Sequence, residues 1–340
     1  MLTDSFPTAD LSHKPTPLER LNNLSADYQT NIWVKRDDCT GLAFGGNKSR
    51  QLEYYVGHAM SLGADTLLTT GAVQSNHVRM TVAAARKMGL DVEVQLEHRV
   101  DRDQIEYKKS GNPFLVKLMG AKVHYYSVGE DENGADQAMV DRAEVLKKAG
   151  KKPFVIPLSN VKAPYGALGY VEAAEETLQQ LNMMNMTPSR FILPTGSAST
   201  HAGFLLGLRA LGCNIPVNGI CVRRDAVSQQ TRVFSKMQSV IELMALDVDI
   251  DIKQVICDDR FLAPGYGQLN EATEKAIKKL AEREGLLLDP TYSGKAFAAL
   301  IDLLESNCPG LDQHIVFLHT GGTPSLFAYP ELVDKEGSSN

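Results

Sequence analysis

Short runs of apolar, β-branched residues alternate along the chain with longer segments of helical period. The first run, at residues 65–70, is followed by residues 75–89, where apolar positions recur every three or four residues. Further runs lie at 91–97, 121–127, 153–158, 190–194, 217–222 and 314–320. Because most of the connections contain an amphipathic stretch, the pattern predicts βαβ crossovers and parallel sheets.

The predicted strands fall into two sets, one between about residues 65 and 158 and one between about 190 and 320, with a polar join at 157–170. We therefore predict an α/β protein with two doubly wound domains and mostly parallel sheets. In this architecture small ligands bind in the cleft between the domains, outside the carboxyl ends of the strands.

Composition and charge exclude several classes of function. The net charge of -6 and pI of about 5.8 disfavour binding to nucleic acid, and no apolar run approaches the ~20 residues that span a membrane. The first thirty residues lack the apolar segment of a signal peptide. Five cysteines without a C-x-x-C pair indicate reduced thiols in the cytoplasm, and the eight histidines lack metal-ligand spacing, so we predict no metal.

Three predicted strands end in Thr-Gly: "TTGAVQSN" (69–76), "PTGSAST" (194–200) and "HTGG" (319–322). A glycine after a strand is common, so each ending alone is explained by a turn. Since the carboxyl ends of parallel strands share one edge of a sheet, the three together point to a common site.

The second ending, residues 195–200, carries four hydroxyl side chains in six residues and leads into an apolar helix. One hydroxyl is enough to cap a helix. Several hydroxyls beside backbone N–H groups at the positive end of a helix dipole favour a phosphate site.

The stretch "GLAFGGNKSR" (41–50) differs by one residue from the phosphate-binding motif G-x-x-x-x-G-K-[ST], because Asn47 separates Gly46 from Lys48. No strand runs directly into its glycines, so a nucleoside-triphosphatase is disfavoured. Lys48 is then either a solvated lysine or one that condenses with an aldehyde. A reactive lysine together with a phosphate site suggests pyridoxal phosphate as the cofactor.

Six segments resemble the tryptophan-synthase-β type of pyridoxal-phosphate enzyme (fold type II), in the branch that contains D-cysteine desulfhydrase and 1-aminocyclopropane-1-carboxylate deaminase. They are "VKRDDCTGLAFGGNKSRQLEY", "GAVQSNHVRMTVAAARKMGL", "LGYVEAAEE", "APGYGQLNE", "LLLDPTYSGKAF" and "HTGG". The resemblance implies an active site in the cleft between a large cofactor-binding domain (1–49 and 161–340) and a small domain (50–160). It also implies a homodimer.

The resemblance assigns roles to particular residues. Lys48 is similar to the lysine that bonds to the cofactor and then removes the Cα proton of the substrate, with the hydroxyl of Ser75 or Tyr292 as candidate for the opposite face. Thr320 is similar to the neutral group that faces the pyridine nitrogen. The remaining cofactor-binding residues are Asn76, Gly196, Ser197, Ala198, Ser199 and Thr200, and the substrate-binding residues are Ser75, Asn76, His77, Tyr266 and Tyr292.

Within this branch we predict β-elimination from D-cysteine to pyruvate, hydrogen sulfide and ammonia. The ring-opening deaminases carry a glutamate where this chain has Ser293, which ranks that activity lower. L-Cysteate sulfo-lyase remains the alternative, because Lys162 and Tyr165 offer donors for a sulfonate. A non-catalytic amino-acid-binding protein with the same cleft is the rival from another class.

Overall fold

The computed structural model describes residues 1–158, 164–306 and 314–333, and its strands form two sheets. The strands are β1 (Leu18–Arg20), β2 (Ile32–Lys35), β3 (Thr66–Ala72), β4 (Asp91–Glu97), β5 (Lys122–Tyr126), β6 (Pro153–Ile156), β7 (Pro188–Thr195), β8 (Val217–Cys221), β9 (Ile256–Asp258) and β10 (His314–Leu318). The seven strands predicted from the sequence are confirmed as β3–β8 and β10. The sequence missed β1, β2 and β9, which have only three or four residues each.

Eleven α-helices connect these strands in the described parts of the chain. They are α1 (Asn22–Asp27), α2 (Lys48–Ser61), α3 (Asn76–Lys87), α4 (Ile105–Lys109), α5 (Asn112–Leu118), α6 (Glu132–Lys148), α7 (Tyr165–Met183), α8 (Ser199–Ala210), α9 (Ala226–Met244), α10 (Glu271–Glu284) and α11 (Ser293–Glu305). The helix predicted at 75–89 is confirmed as α3.

One sheet has the order β5-β4-β3-β6 and is parallel throughout. The other has the order β1-β2-β10-β7-β8-β9, in which β1 alone among the described strands is antiparallel to its neighbour. The strands of the first sheet come from residues 66–156, and those of the second come from both sides of that segment. The domain boundaries at residues 49/50 and 160/161 remain a proposal.

Helices cover both faces of the larger sheet, as a doubly wound fold requires. Alternate residues of β7 and β10 point to opposite faces: Val316 packs among α7, α8 and α9, and Phe317 packs against α10 and α11. The smaller sheet is built in the same way, with Leu67 among α2, α3 and α5 and Leu68 against α6. Each sheet is thus buried on both sides, and its polar strand ends are free to form a site.

Helices α7 and α8 pack at unusually close range where α8 carries a glycine. A Cβ atom on Gly203 would lie 2.1 Å from the carbonyl oxygen of Ala167 and 2.8 Å from Cβ of Tyr170. No side chain fits at this position without a movement of one helix. The contact fixes the first turn of α8, which begins at Ser199, against the rest of the larger sheet.

Candidate active site

The residues for which the family resemblance implies a role at the cofactor or the substrate all line one cavity between the two sheets. The cavity lies at the carboxyl ends of β3, β7 and β10, where the three Thr-Gly segments meet. Its lining includes Lys48, Ser75, Asn76, His77, Gly196, Ser197, Ala198, Ser199, Thr200, Tyr266, Tyr292 and Thr320. The convergence of these segments is therefore confirmed, whereas the role of each residue remains a proposal.

Lys48 is the first residue of α2 and is half-buried in this cavity. Its Nζ donates a hydrogen bond to Oε1 of Gln51 at 3.2 Å. Burial lowers the pKa of Lys48 from 10.5 to about 8. About a tenth of the amine is therefore uncharged at pH 7, and this fraction can act as a nucleophile or a general base.

Glycines bring the start of α2 close to the end of β10. Gly46 and Gly321 have positive φ angles of 129° and 83°. A Cβ atom on Gly321 would lie 2.6 Å from Cα of Gly46, so only glycine permits this approach. The N–H group of Asn47 donates to the carbonyl oxygen of Thr320 at 3.0 Å, which places Lys48 and Thr320 around the same cavity.

A buried ionic network holds the first turn of α2. Arg50 is fully buried and donates to both carboxylate oxygens of Asp37 and of Glu176. Asp37 also accepts a hydrogen bond from Tyr170 at 2.6 Å. Burial by itself raises the pKa of Asp37, but Arg50 and Lys35 hold that pKa below its ordinary value of 3.8. Arg50 is thereby neutralised two residues from Lys48.

Loop 196–200 connects β7 to α8 and supplies the predicted phosphate site. Ala198 has a left-handed conformation (φ 77°) and precedes the first turn of α8. The hydroxyl oxygen of Thr200 accepts hydrogen bonds from Nδ2 of Asn47 at 2.8 Å and from Nε2 of Gln51 at 2.9 Å. The start of α2 is therefore tied directly to the start of α8, and both helix N-termini direct their dipoles toward the cavity region.

The side chain of Asn76 is oriented by two partners. Its Oδ1 accepts from a guanidinium nitrogen of Arg79 at 2.9 Å and from Nδ2 of Asn112 at 3.1 Å. Arg79 is fully buried and also donates to Oδ1 of Asn112 at 2.6 Å and to the carbonyl oxygen of Gly45 at 3.0 Å. Because the carbonyl side of Asn76 is occupied, its amide NH₂ is presented as a donor.

Ser75 and His77 lie at the start of α3, on the other side of Asn76. Ser75 caps this helix, with its hydroxyl oxygen accepting from the N–H group of Val78 at 3.2 Å. His77 is buried, and its Nε2 is 3.0 Å from the hydroxyl of Thr69. Burial and the charge of Lys48 lower the pKa of His77 to about 3, so this imidazole is neutral at physiological pH.

Two tyrosines complete the wall of the cavity. The hydroxyl groups of Tyr266 and Tyr292 are 2.5 Å apart. Burial raises the pKa of both phenols above the ordinary value of 10, so both keep their protons at neutral pH. They can donate or relay a proton, but they are poor bases.

Asp289 organises the turn that carries Tyr292. Its carboxylate accepts from the N–H groups of Thr291 at 3.0 Å, Tyr292 at 2.9 Å and Ser293 at 2.7 Å, and from the hydroxyl of Ser293 at 2.6 Å. Burial raises the pKa of Asp289. Ser293 stands where the ring-opening deaminases carry a glutamate. Its N–H and hydroxyl groups are thus both hydrogen-bonded to Asp289.

Several residues of the site were not identified from the sequence. Asn47 and Gln51 are four residues apart, and Asn76 and Arg79 are three apart; this helical spacing was available as a signal. Asn112 comes from a distant segment, so no local pattern indicates it. The same holds for the cavity-lining residues Arg99, Glu132, Arg223 and Lys236.

Comparison with known proteins decides the family. The model of a family described as pyridoxal-phosphate dependent enzyme matches residues 9–321. The chain belongs to this family. The expectation drawn from the sequence is confirmed, and the enzymes of this family use pyridoxal phosphate as cofactor.

Similar proteins of this family cover almost the whole chain. A D-cysteine desulfhydrase of Salmonella paratyphi C is 43% identical over 324 residues, which are 95% of this chain and 96% of that protein. A D-cysteine desulfhydrase of Serratia proteamaculans is 41% identical over the same shares. A crystal structure of an ACC deaminase homologue has 35% identity and a TM-score of 0.86, with 97% of this chain and 96% of that chain covered. A hydrogen sulfide-producing enzyme of Fusobacterium nucleatum, at 19% identity and a TM-score of 0.61 over 93% of this chain and 97% of its own, shares the fold.

The residues of the cavity fit the cofactor of the family. Lys48 supplies an amine of lowered pKa, and loop 196–200 supplies the start of a helix and several hydroxyl groups. Asn76 presents an oriented amide donor. Within the described parts of the chain, no helix combines the length and apolar character needed to cross a membrane.

Proposed function

We propose that the chain is a pyridoxal-phosphate-dependent carbon–sulfur lyase that converts D-cysteine and water to pyruvate, hydrogen sulfide and ammonia. The observation that carries the proposal is Lys48, a half-buried amine with a pKa of about 8. It lines one cavity together with loop 196–200 and the Ser75–His77 segment. The D-cysteine desulfhydrases that are 41–43% identical over 95% of the chain support the choice of substrate.

Each part of the cofactor has a counterpart in the cavity. Lys48 would hold its aldehyde carbon, and the N–H and hydroxyl groups of loop 196–200 would hold its phosphate. Asn76 would supply the donor for its ring oxygen, and the neutral hydroxyl of Thr320 would be the partner of its ring nitrogen. When bound, the cofactor withdraws electrons from Cα of the substrate amino acid.

Lys48 and the tyrosines manage the protons of the reaction. When its amine is not bonded to the cofactor, Lys48 would act as the base that removes the proton from Cα of the substrate. Tyr266 and Tyr292 stay protonated, so their O–H groups can donate hydrogen bonds to the departing sulfur. Neither phenol is suited to the alternative role of base.

Ser75 and His77 bind the substrate in this proposal. The oxygen of Ser75 is engaged as the cap of α3, which leaves its O–H group to donate to the substrate carboxylate. His77 is held by Thr69 and is neutral. The segment therefore offers directed donors without a charge that would compete with Lys48.

The structure provides no separate support for the sulfo-lyase alternative. Of its two sequence indications, Lys162 lies outside the described residues. Tyr165 stacks on the ring of His58 at 4.1 Å and lies edge-on to Tyr55 at 6.5 Å. It therefore packs within the protein near the small sheet.

A parallel substrate panel tests the proposal. Purified protein with pyridoxal phosphate is incubated with D-cysteine, L-cysteine, L-cysteate, D-serine and 1-aminocyclopropane-1-carboxylate, and pyruvate, 2-oxobutyrate, sulfide and sulfite are measured. We expect sulfide and pyruvate in equal amounts from D-cysteine. Lys48→Ala should lose this activity and the visible absorption band of the bound cofactor.

Two results would overturn the proposal in different ways. Sulfite from cysteate without sulfide from D-cysteine would establish the alternative lyase. A protein that stays colourless with pyridoxal phosphate, and whose spectrum is the same in Lys48→Ala, would establish a non-catalytic binder.

We also propose that the enzyme is a homodimer that pairs through an exposed apolar groove. Four large apolar side chains, Phe44, Ile105, Phe114 and Phe327, are 54–69% exposed and line this groove. Phe44 keeps a positive φ of 72° although it is exposed. Glu106 and Lys109 flank the same groove, so a two-fold pairing could join opposite charges of the two copies.

Sedimentation analysis of Phe114→Asp/Phe327→Asp tests this pairing. We expect the wild type to be a dimer and the double variant a monomer. Met183→Asp, at an apolar position that is 84% exposed outside the groove, is the control and should remain a dimer. A dimeric double variant would refute the assignment of the surface.

The cytoplasm is the compartment that we propose for the enzyme. Cys39, Cys213, Cys221 and Cys257 are free thiols in the described residues, as a reducing compartment favours. Cell fractionation with antibody detection tests this location.

A further inference from the structure

One buried lysine of the active-site cavity has no role in the proposed reaction. Lys236 lies on α9, is 3% exposed and lines the same cavity as loop 196–200. Among the described residues, none forms a hydrogen bond or an ion pair with its Nζ. A buried ammonium group without a partner is costly, so an anion that enters the cavity would relieve that cost.

Helix α9 is attached to the base of loop 196–200. Nε2 of Gln229 donates to the hydroxyl oxygen of Thr195, the residue before the loop, at 2.8 Å. Gln229 and Lys236 are both buried and are seven residues apart, so they lie on one face of α9. Arg224, just before α9, donates to the carbonyl oxygen of Gly196 at 3.2 Å. The loop and the face of α9 that carries Lys236 are thus parts of one unit.

The acidic residue near Lys236 is already engaged by other cations. Glu132 pairs with Arg223, with Arg224 at 3.0 Å and with Arg232 at 3.1 Å. Three guanidinium groups therefore already compensate the charge of Glu132. Burial and, to a smaller extent, the charge of Arg232 lower the pKa of Lys236 to about 8.

The position of Lys236 indicates whether it would bind the phosphate of the cofactor or the carboxylate of the substrate. In the proposed reaction the substrate binds at Lys48. His77 lies close to Lys48, because the charge of Lys48 lowers the pKa of His77. Lys236 lies on α9, the helix that Gln229 ties to Thr195 at the base of loop 196–200, so we place it on the phosphate side of the cavity.

We propose that Lys236 binds the phosphate of pyridoxal phosphate, as a cationic partner to the N–H and hydroxyl donors of loop 196–200. This inference rests on the proposed assignment of the loop as the phosphate site. A phosphate monoester carries between one and two negative charges near pH 7. The dipole of α8 and the neutral donors of the loop do not compensate this charge fully. Protonated Lys236 supplies a full positive charge, and the phosphate would give its ammonium group an ion-pair partner in the cavity.

Equilibrium dialysis of the apoenzyme against pyridoxal phosphate and against pyridoxal tests the inference. Both ligands carry the aldehyde that reacts with Lys48, and only the first carries the phosphate. We expect Lys236→Met to raise the Kd for pyridoxal phosphate about 10- to 100-fold and to leave the Kd for pyridoxal unchanged. Lys236→Arg, which keeps the charge, should recover most of the affinity, and the surface variant Lys117→Met should behave as the wild type.

Inorganic phosphate, titrated calorimetrically into the apoenzyme, gives a second readout that involves neither the aldehyde nor catalysis. The wild type and Lys48→Ala should bind phosphate, and Lys236→Met should bind it at least tenfold more weakly. If Lys236→Met folds poorly, Lys236→Arg and Lys236→Gln are compared instead by the ratio of the Kd for pyridoxal phosphate to the Kd for pyridoxal. A general folding defect weakens the binding of both ligands equally and leaves this ratio unchanged. An unchanged Kd for pyridoxal phosphate, or an equal loss for both ligands, would overturn the inference.

The two proposals fail separately. If no amino acid of the panel is cleaved but Lys236→Met still discriminates between pyridoxal phosphate and pyridoxal, the lyase assignment is wrong and the phosphate partner stands. If D-cysteine is cleaved and Lys236→Met binds pyridoxal phosphate as the wild type does, the phosphate partner alone is wrong.

Discussion

Replacement of Lys48 should make the apoenzyme more stable. Burial lowers the pKa of Lys48 from 10.5 to about 8, so its protonated form is disfavoured in the folded protein. The full difference corresponds to roughly 3 kcal/mol at 1.36 kcal/mol for each pKa unit. Because the side chain is only half-buried, solvent screening reduces this to about 2 kcal/mol. Lys48→Met removes the charge and keeps most of the apolar stem.

The sign of the pH dependence follows from linkage. Between about pH 8 and 10.5 the unfolded chain keeps the proton of Lys48 and the folded chain releases it, so the stability of the wild type rises with pH in this window. The advantage of Lys48→Met is therefore complete below about pH 8 and disappears as the pH approaches 10.5. Both proteins must be compared without cofactor, since the covalent bond removes the amine.

Thermal and urea unfolding of the two apoproteins measure the effect. With about 2.1 cal/mol/K of unfolding entropy per residue, 2 kcal/mol raises the Tm of a chain of this length by roughly 3 °C at pH 7. The gain should shrink clearly by about pH 9.5. Lys117→Met, at an exposed position, should show no such change. A variant that is no more stable than the wild type at pH 7, or a gain that does not depend on pH, would refute the reasoning.

Three further substitutions test the supports of the site. Gly203→Ala forces α8 away from α7 and should cost about 1–3 kcal/mol of stability together with cofactor affinity, so an unchanged Tm would contradict the close contact. Asn112→Ala frees the amide of Asn76 and should weaken pyridoxal phosphate binding about tenfold in a spectral titration, whereas Asn31→Ala, at a half-buried position outside the cavity, should not. Asp37→Asn breaks the buried network and should cost about 3 kcal/mol in urea unfolding. The pKa of Asp37 is held below 3.8, so the difference in unfolding free energy between the wild type and Asp37→Asn should be complete above pH 3.8 and should diminish as the pH falls below it. A difference that persists in acid would contradict a role for ionised Asp37 in the network.

The sequence predicted the long elements well because periodicity is a local property. The alternation of apolar and polar positions gave β3–β8, β10 and α3 within a few residues. β1, β2 and β9 are too short to show such a pattern, and their pairing depends on distant partners. Asn47, first noted only as an interruption of a phosphate motif, proves to be the residue that links α2 to Thr200.

The sequence predicted the residues of the site where motifs mark them and missed those that tertiary packing brings in. Lys48, loop 196–200 and Thr320 stand in recognisable segments and line one cavity. Asn112 and Lys236 carry no local signal, because the packing of whole helices decides that α5 meets Asn76 and that Lys236 of α9 faces the cavity. In isolation, a lysine among the polar positions of α9 is typical of a solvated surface.

The position of β10 has a consequence for how the enzyme is made. This strand lies between β2 and β7 in the larger sheet, although it is the last strand of the described chain. During synthesis β2 and β7 emerge long before their shared neighbour, so both present an unpaired edge until residues 314–318 leave the ribosome. Thr320 follows that strand directly. The larger sheet and the candidate site are therefore completed together, only after β10 has been made, and a chain that terminates before β10 should be a target for aggregation or proteolysis.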